Sequence, residues 1–146
     1  SALLRSQFQS IKWLAVRRNP VDILRSYYAH TMYSFHNYPL SNATDEWIEE
    51  MRQVSKMTFD EYVDFRLSKI DNGGFLKHYI CDYSGKPFSN VTIIDFGNLE
   101  QAFNSFCVSN ALECVLTHEN GSKGIKPLAT NQLREKIKSY CHFDFN

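Results

Sequence analysis

The chain has 146 residues, enough for one domain with a single core and too few for two. Hydrophobic residues make up 43% and charged residues 22%, an ordinary globular composition with a high aromatic share of 14%. Lys plus Arg equals Asp plus Glu at 16 each, so no net field draws the protein onto nucleic acid or an anionic membrane. Any anion must be held by a local site.

Residues 3–9 carry no helix breaker and are expected to form a short helix. Ile11 to Val16 is a nearly continuous apolar run, the pattern of a strand buried on both faces of a parallel sheet. It stops at Arg17-Arg18-Asn19-Pro20. Asn19 is a good N-cap, Pro20 suits the first helical position, and Asp22 falls at N3 near the positive end of the dipole. The helix that follows is expected to bury Val21, Leu24, Tyr28 and Met32, to turn Arg25 outward, and to end before Asn37-Tyr38-Pro39. A second helix is expected over Asp45–Met57, with Trp47, Ile48, Met51 and Val54 as its apolar stripe.

Thr58 and Glu61 form a capping box for a third helix, whose apolar positions are Phe59, Tyr62, Val63, Leu67 and Ile70. Asp71-Asn72-Gly73-Gly74 ends it, Phe75–Tyr83 reads as a short helix, and Ser84–Pro87 as a turn. Val91–Ile94, rich in β-branched residues, is the second strand. Asn98 is expected to cap a helix with Gln101 at N3 and with Leu99, Ala102, Phe103 and Phe106 facing the core. A loop over Glu119–Pro127 precedes a last helix at Asn131–Tyr140, packing through Leu133, Ile137 and Tyr140. Two strands, each followed by a helix, predict an α/β fold with a parallel sheet. Two strands are few for such a sheet, so further strands are expected before Ser1 or from another chain, as a homo-oligomer would supply.

The turn at Arg17–Ser26 has the makings of an anion site. A helix N-terminus attracts anions, a guanidinium at the end of the preceding strand adds a bidentate fork, and a serine early in the helix adds a hydroxyl. In α/β sheets ligands gather at the carboxyl ends of the strands, where Arg18 falls. The plain alternative is a βα turn with solvent-exposed arginines.

Val16 to Tyr28 reads V-R-R-N-P-V-D-I-L-R-S-Y-Y and resembles the 3′-phosphate-binding motif of PAPS-dependent sulfotransferases, R-N-P-x-D-x-x-x-S-x-Y, through Arg18, Asn19, Pro20, Asp22, Ser26 and Tyr28. Three later segments are similar, in order and spacing, to the branch with bacterial and Golgi carbohydrate enzymes. They are Met57–Val63, Val91–Phe103 (V-T-I-I-D-F-G-N-L-E-Q-A-F) and Leu116–Ser122 (L-T-H-E-N-G-S), with Asp144-Phe145 near the end. The resemblance implies a P-loop-NTPase-like sulfotransferase fold, its parallel sheet incomplete here at about two strands, with a mostly helical remainder. It also implies PAPS or PAP bound through Arg18 and Ser26, with Lys123 or Lys126 closing from the basic loop, Lys123 favoured for its flanking glycines. No metal is implied.

The implied reaction moves a sulfuryl group from PAPS to a hydroxyl or amine, with carbohydrate as the acceptor suggested by the branch. The family's K-x-G-T-[ST] loop does not occur in residues 1–146, and Gly97 stands where the family carries Glu. That loop and the catalytic base are expected upstream of Ser1, residues 1–146 forming one domain that lacks its first strand and phosphate loop. The alternative is a truncated, catalytically inactive nucleotide- or partner-binding module. A P-loop kinase is a second rival and requires G-x-x-x-x-G-K-[ST].

No H-x-x-x-H or H-E-x-x-H spacing occurs, and His30 and His36 read as surface residues. Trp13 reads as core. Cys81, Cys107, Cys114 and Cys141 show no C-x-x-C pattern and are expected to be reduced, mostly buried thiols. No run reaches the length of a membrane span. A bacterial cytoplasmic location is favoured, with the Golgi lumen as alternative, to which sequons at Asn42, Asn90 and Asn120 lend support.

Overall fold

The computed structural model describes residues 12–39, 43–82, 84–117 and 123–145. The expected helix at 3–9, Ile11, the sequons at Asn42 and Asn120, and His118 to Ser122 lie outside them. The fold is mixed α/β: two parallel strands and a mostly helical remainder. In chain order these are β1 (Trp13–Arg17), α1 (Pro20–Asn37), α2 (Asp45–Val54), α3 (Phe59–Leu67), α4 (Phe75–Ile80), β2 (Val91–Asp95), α5 (Leu99–Ser109) and α6 (Asn131–Tyr140). Single 3₁₀ turns occupy Phe96–Asn98 and His142–Phe145.

Local chemistry explains most helix starts. Asn19 Oδ1 accepts from Val21 N at 2.9 Å, and proline opens α1. Thr44 and Thr130 cap α2 and α6 through their hydroxyls. At α3 the capping box is complete: Thr58 Oγ1 accepts from Glu61 N, and Glu61 accepts from Thr58 N at 2.7 Å. The Glu61 carboxyl is held below its usual pKa first by that backbone bond and then by the Thr58 hydroxyl. The Asn98 side chain, in contrast, makes no capping bond, because the 3₁₀ turn leads directly into α5.

The core is helical. Val21 and Leu24 of α1 meet Val54 of α2, Phe59, Tyr62, Val63 and Leu67 of α3, Phe75 of α4, and Leu133 and Ile137 of α6. Tyr28 is half-buried against this core and donates its hydroxyl to the Met57 carbonyl at 2.8 Å. The strands run in register from Trp13↔Val91 to Arg17↔Asp95. They are not buried on both faces as their apolar run implied. Trp13, Val16 and Ile93 are each more than 40% exposed, and Ile94 is the one strand residue fully buried. An apolar run reports what a strand tolerates, whereas burial depends on which elements cover it, and the helices collect around α1 instead. Trp13 is accordingly not core but stacks on Phe88 with ring centroids 6.3 Å apart. Leu99, Ala102, Phe103 and Phe106 are half-buried, and in α5 only Cys107 is fully enclosed.

Candidate anion-binding site

Arg17 ends β1, Arg18 follows it, and the two have different partners. Arg17 sits opposite Asp95 in the strand register and grips it with two hydrogen bonds, Nε to Oδ1 at 2.7 Å and NH2 to Oδ2 at 3.2 Å. This bidentate bond holds the Asp95 carboxyl below its usual pKa and raises that of Arg17. The pair ties the carboxyl ends of the two strands together.

Arg18, one residue on, has no carboxylate partner among the described residues. Its guanidinium donates to Ser26 Oγ at 3.0 Å and lies 4.7 Å above the Phe96 ring. Ser26 is buried in the second turn of α1, so the hydroxyl fixes the guanidinium from behind. The sequence motif thus becomes one hydrogen-bonded unit.

That unit borders an open cleft of about 630 Å³ lined by Arg17, Arg18, Asn19, Asp22, Gly97 and Lys126, among others. The volume suits a small organic ligand. A side chain at Gly97, which borders the cleft, would meet nothing within 4 Å. Phe96 and Arg18 also border a second, more apolar hollow of about 340 Å³, with Val16, Ile23, Tyr27 and Tyr79.

Free N–H groups at the start of α1 do not serve this cleft. Pro20 has none, Val21 donates to the Asn19 side chain, and Asp22 and Ile23 both donate to the Asn19 carbonyl. Charge comes from side chains instead, with Arg17, Arg18 and Lys126 set against Asp22, Asp95 and Asp144 around the cleft. Asp22 at N3 is drawn off by Arg25, whose NH1 lies 3.5 Å from its Oδ1.

Lys123 is not brought to the cleft. Its ammonium donates to Tyr38 Oη at 3.0 Å, just past the C-terminal end of α1. That end is about 27 Å along the helix axis from the Arg18 end, at 1.5 Å for each of 18 residues. Lys126 lines the cleft in its place, because the loop runs back along α1. Gly124 lies against Ala29, where a Cβ would meet the Ala29 carbonyl oxygen at 2.6 Å, and φ there is +93°. Arg25 Nε then donates to the Pro127 carbonyl at 2.7 Å. Arg25, expected to face outward, is half-buried as the anchor of this loop.

Asp144 was missed by local sequence reasoning beyond its place in a terminal motif. It is buried and accepts from Phe75 N at 2.8 Å and Leu76 N at 2.6 Å, capping α4 from far along the chain. Burial raises its pKa, and the two backbone bonds oppose that shift. Gly74, at φ +118°, must lack a side chain here because a Cβ would overlap the Asp144 carboxylate. The one available signal was that α4 starts without a capping side chain of its own.

His30 and His36 are exposed, as read from sequence. Among the described residues no group of His, Cys, Asp or Glu is arranged to hold a metal ion, and no helix is long and apolar enough to cross a membrane. Compared with known proteins, the chain matches no family model, no curated protein and no solved structure.

Proposed function

We propose that the protein is a sulfotransferase of the PAPS-dependent type, with P-loop-like topology, that holds the nucleotide's 3′-phosphate at Arg18. The observation that carries this reading is the Arg18–Ser26 hydrogen bond at the mouth of the cleft, with no competing carboxylate on Arg18. Both residues occupy their motif positions. A guanidinium fixed from behind presents its remaining N–H groups to an anion with little rotamer entropy left to lose. Lys126 adds a second charge from the loop across the cleft.

In the reaction an acceptor hydroxyl or amine attacks sulfur, the S–O bond to the 5′-phosphate breaks, and PAP leaves. Arg18 and Ser26 act at the 3′ end, away from the breaking bond, so they govern nucleotide affinity more than the chemical step. A carbohydrate acceptor follows the branch that the sequence resembles.

Calorimetric titration with PAP tests the site. Arg18→Ala is expected to weaken PAP binding by about 1.5–3 kcal/mol, the scale of a charged hydrogen bond. Adenosine 5′-monophosphate, which lacks the 3′-phosphate, should bind both proteins alike. Equal PAP affinity in wild type and variant removes the assignment. Gly97 stands where the family carries Glu, and this favours a second reading, a module that binds nucleotide without turnover. PAP binding with no transfer from labelled PAPS to a panel of sugars and amines would select it. Stabilisation by ATP instead of PAP would point to a kinase-like nucleotide site.

A further inference from the structure

The loop from Lys123 to Leu128 is poor in apolar anchors. Ile125 is 94% exposed and Leu128 88%, so burial does little to fix its course before Ala129 packs against the core. Contacts to α1 fix it instead, and they fall on one stripe. Arg25, Ala29 and Tyr33 stand four residues apart, which places them one above another on the helix surface. Lys123 meets the far end of this stripe, its ammonium 5.9 Å from the centre of the Tyr33 ring. Gly124 comes next, where a Cβ would also meet Tyr33 Cβ at 3.3 Å. Pro127 comes last, its carbonyl held by Arg25 Nε. The loop therefore runs antiparallel to α1, towards the Arg18 end.

Lys126 lies between the last two of these contacts and borders the cleft. The proline after it confines its backbone to the extended region. The Arg25–Pro127 bond is attached one residue away, and Arg25 is steadied in turn by Asp22 and by its own half-buried stem. Arg25 is not itself among the residues lining the cleft, so it reaches a bound anion only through the loop. A lysine ammonium sits on a flexible four-carbon stem. If its backbone were also loose, an arriving anion would have to order both, and affinity would fall by that cost.

We propose that Arg25 is a positioning residue: by holding the Pro127 carbonyl it sets Lys126 at the cleft and raises affinity for a phosphate-bearing nucleotide that it never touches. The proposal rests on the nucleotide reading above. The Nε donor carries the effect, and the charge of the guanidinium does not.

Two substitutions separate donor from charge. Gln places an amide N–H at the atom position of Arg Nε, Met places a methyl group there, and both lack the charge. In calorimetric titration with PAP, Arg25→Met should weaken binding about fivefold, as should Lys126→Ala, the scale of one exposed charge contact. Arg25→Gln should bind as the wild type does, and Arg25→Met should add no loss in the Lys126→Ala background. Limited trypsin digestion reads the loop without nucleotide: cleavage between Lys123 and Gly124 should be faster in Arg25→Met and unchanged in Arg25→Gln. Equal losses of affinity in the Gln and Met variants would assign the effect to charge and overturn the proposal. A further loss from Arg25→Met in the Lys126→Ala background would overturn it too, as would wild-type affinity or wild-type cleavage in Arg25→Met. Arg18→Ala distinguishes the two claims. Weakened PAP binding there beside wild-type binding in Arg25→Met removes the anchor alone, whereas unchanged binding in Arg18→Ala removes the nucleotide reading and the anchor's role with it.

Discussion

The helical side of the molecule and its sheet side are built from similar apolar residues yet end in different states. Leu24, Val63 and Ile137 on α1, α3 and α6 are fully buried, while Val16 and Ile93 on the strands remain more than 40% exposed. The helical side is closed by elements that meet at several points: α1 touches α2, α3 and α6, and α3 touches α6. The strands pair chiefly with each other, with α4 and α5 alongside. The difference teaches that the core and the proposed site are divided here: helices supply the core, and the strand ends supply the edge at which Arg17 and Arg18 sit.

The sharpest way to break that contrast is truncation of matched residues. Leu24→Ala or Ile137→Ala removes a fully enclosed side chain and should cost about 2–5 kcal/mol in urea denaturation. Ile93→Ala should cost under about 1 kcal/mol, since much of its surface already meets water. Equal losses would mean that the sheet is covered in solution.

A smaller effect is expected where the two sides meet. Asp144→Ala orphans two backbone N–H groups at the start of α4 and should cost about 1–2 kcal/mol. Its pH dependence has a definite sign. Because the folded-state pKa is raised, the Asp144 contribution is fully present below the ordinary carboxylate range and is lost as pH rises through the raised value. Asp82 and Asp95, whose pKa values are lowered, act oppositely, adding stability above the ordinary range that disappears as pH falls through their lowered values. Asp144→Asn should therefore flatten the stability profile just above the ordinary carboxylate pKa and leave the acid limb unchanged.

The smallest test compares two helix starts. Thr58→Ala breaks the capping box of α3 and should cost about 1 kcal/mol. Asn98→Ala should change thermal stability by no more than a few tenths of a kcal/mol, since Asn98 makes no capping bond.

What the sequence made legible follows the same division. Caps are written within four residues, so Asn19 and the Thr58–Glu61 box were readable, and so was the Arg18–Ser26 spacing. The second and third helices end a turn or so early because Val54 and Leu67 are followed by turns that packing decides. Asn98 does stand at the N-cap position with Gln101 at N3, but the 3₁₀ turn before it leaves its side chain without a capping bond. Lys123 and Lys126 are indistinguishable by composition, and only the path of the loop along α1 separates them. Asp144 and its partners Phe75 and Leu76 are 68 to 69 positions apart, beyond any local pattern.

That separation also bears on how the chain is made. During synthesis α4 emerges well before Asp144, so its first N–H groups must be satisfied by water until residue 144 leaves the ribosome, several seconds later at about 5–20 residues per second. Ile137 reaches the core only a few residues sooner. The strand-end edge and the helical core are therefore completed together, by the stretch from Ile137 to Asp144, and a nascent chain stalled before it would carry the Arg18 motif on an open scaffold.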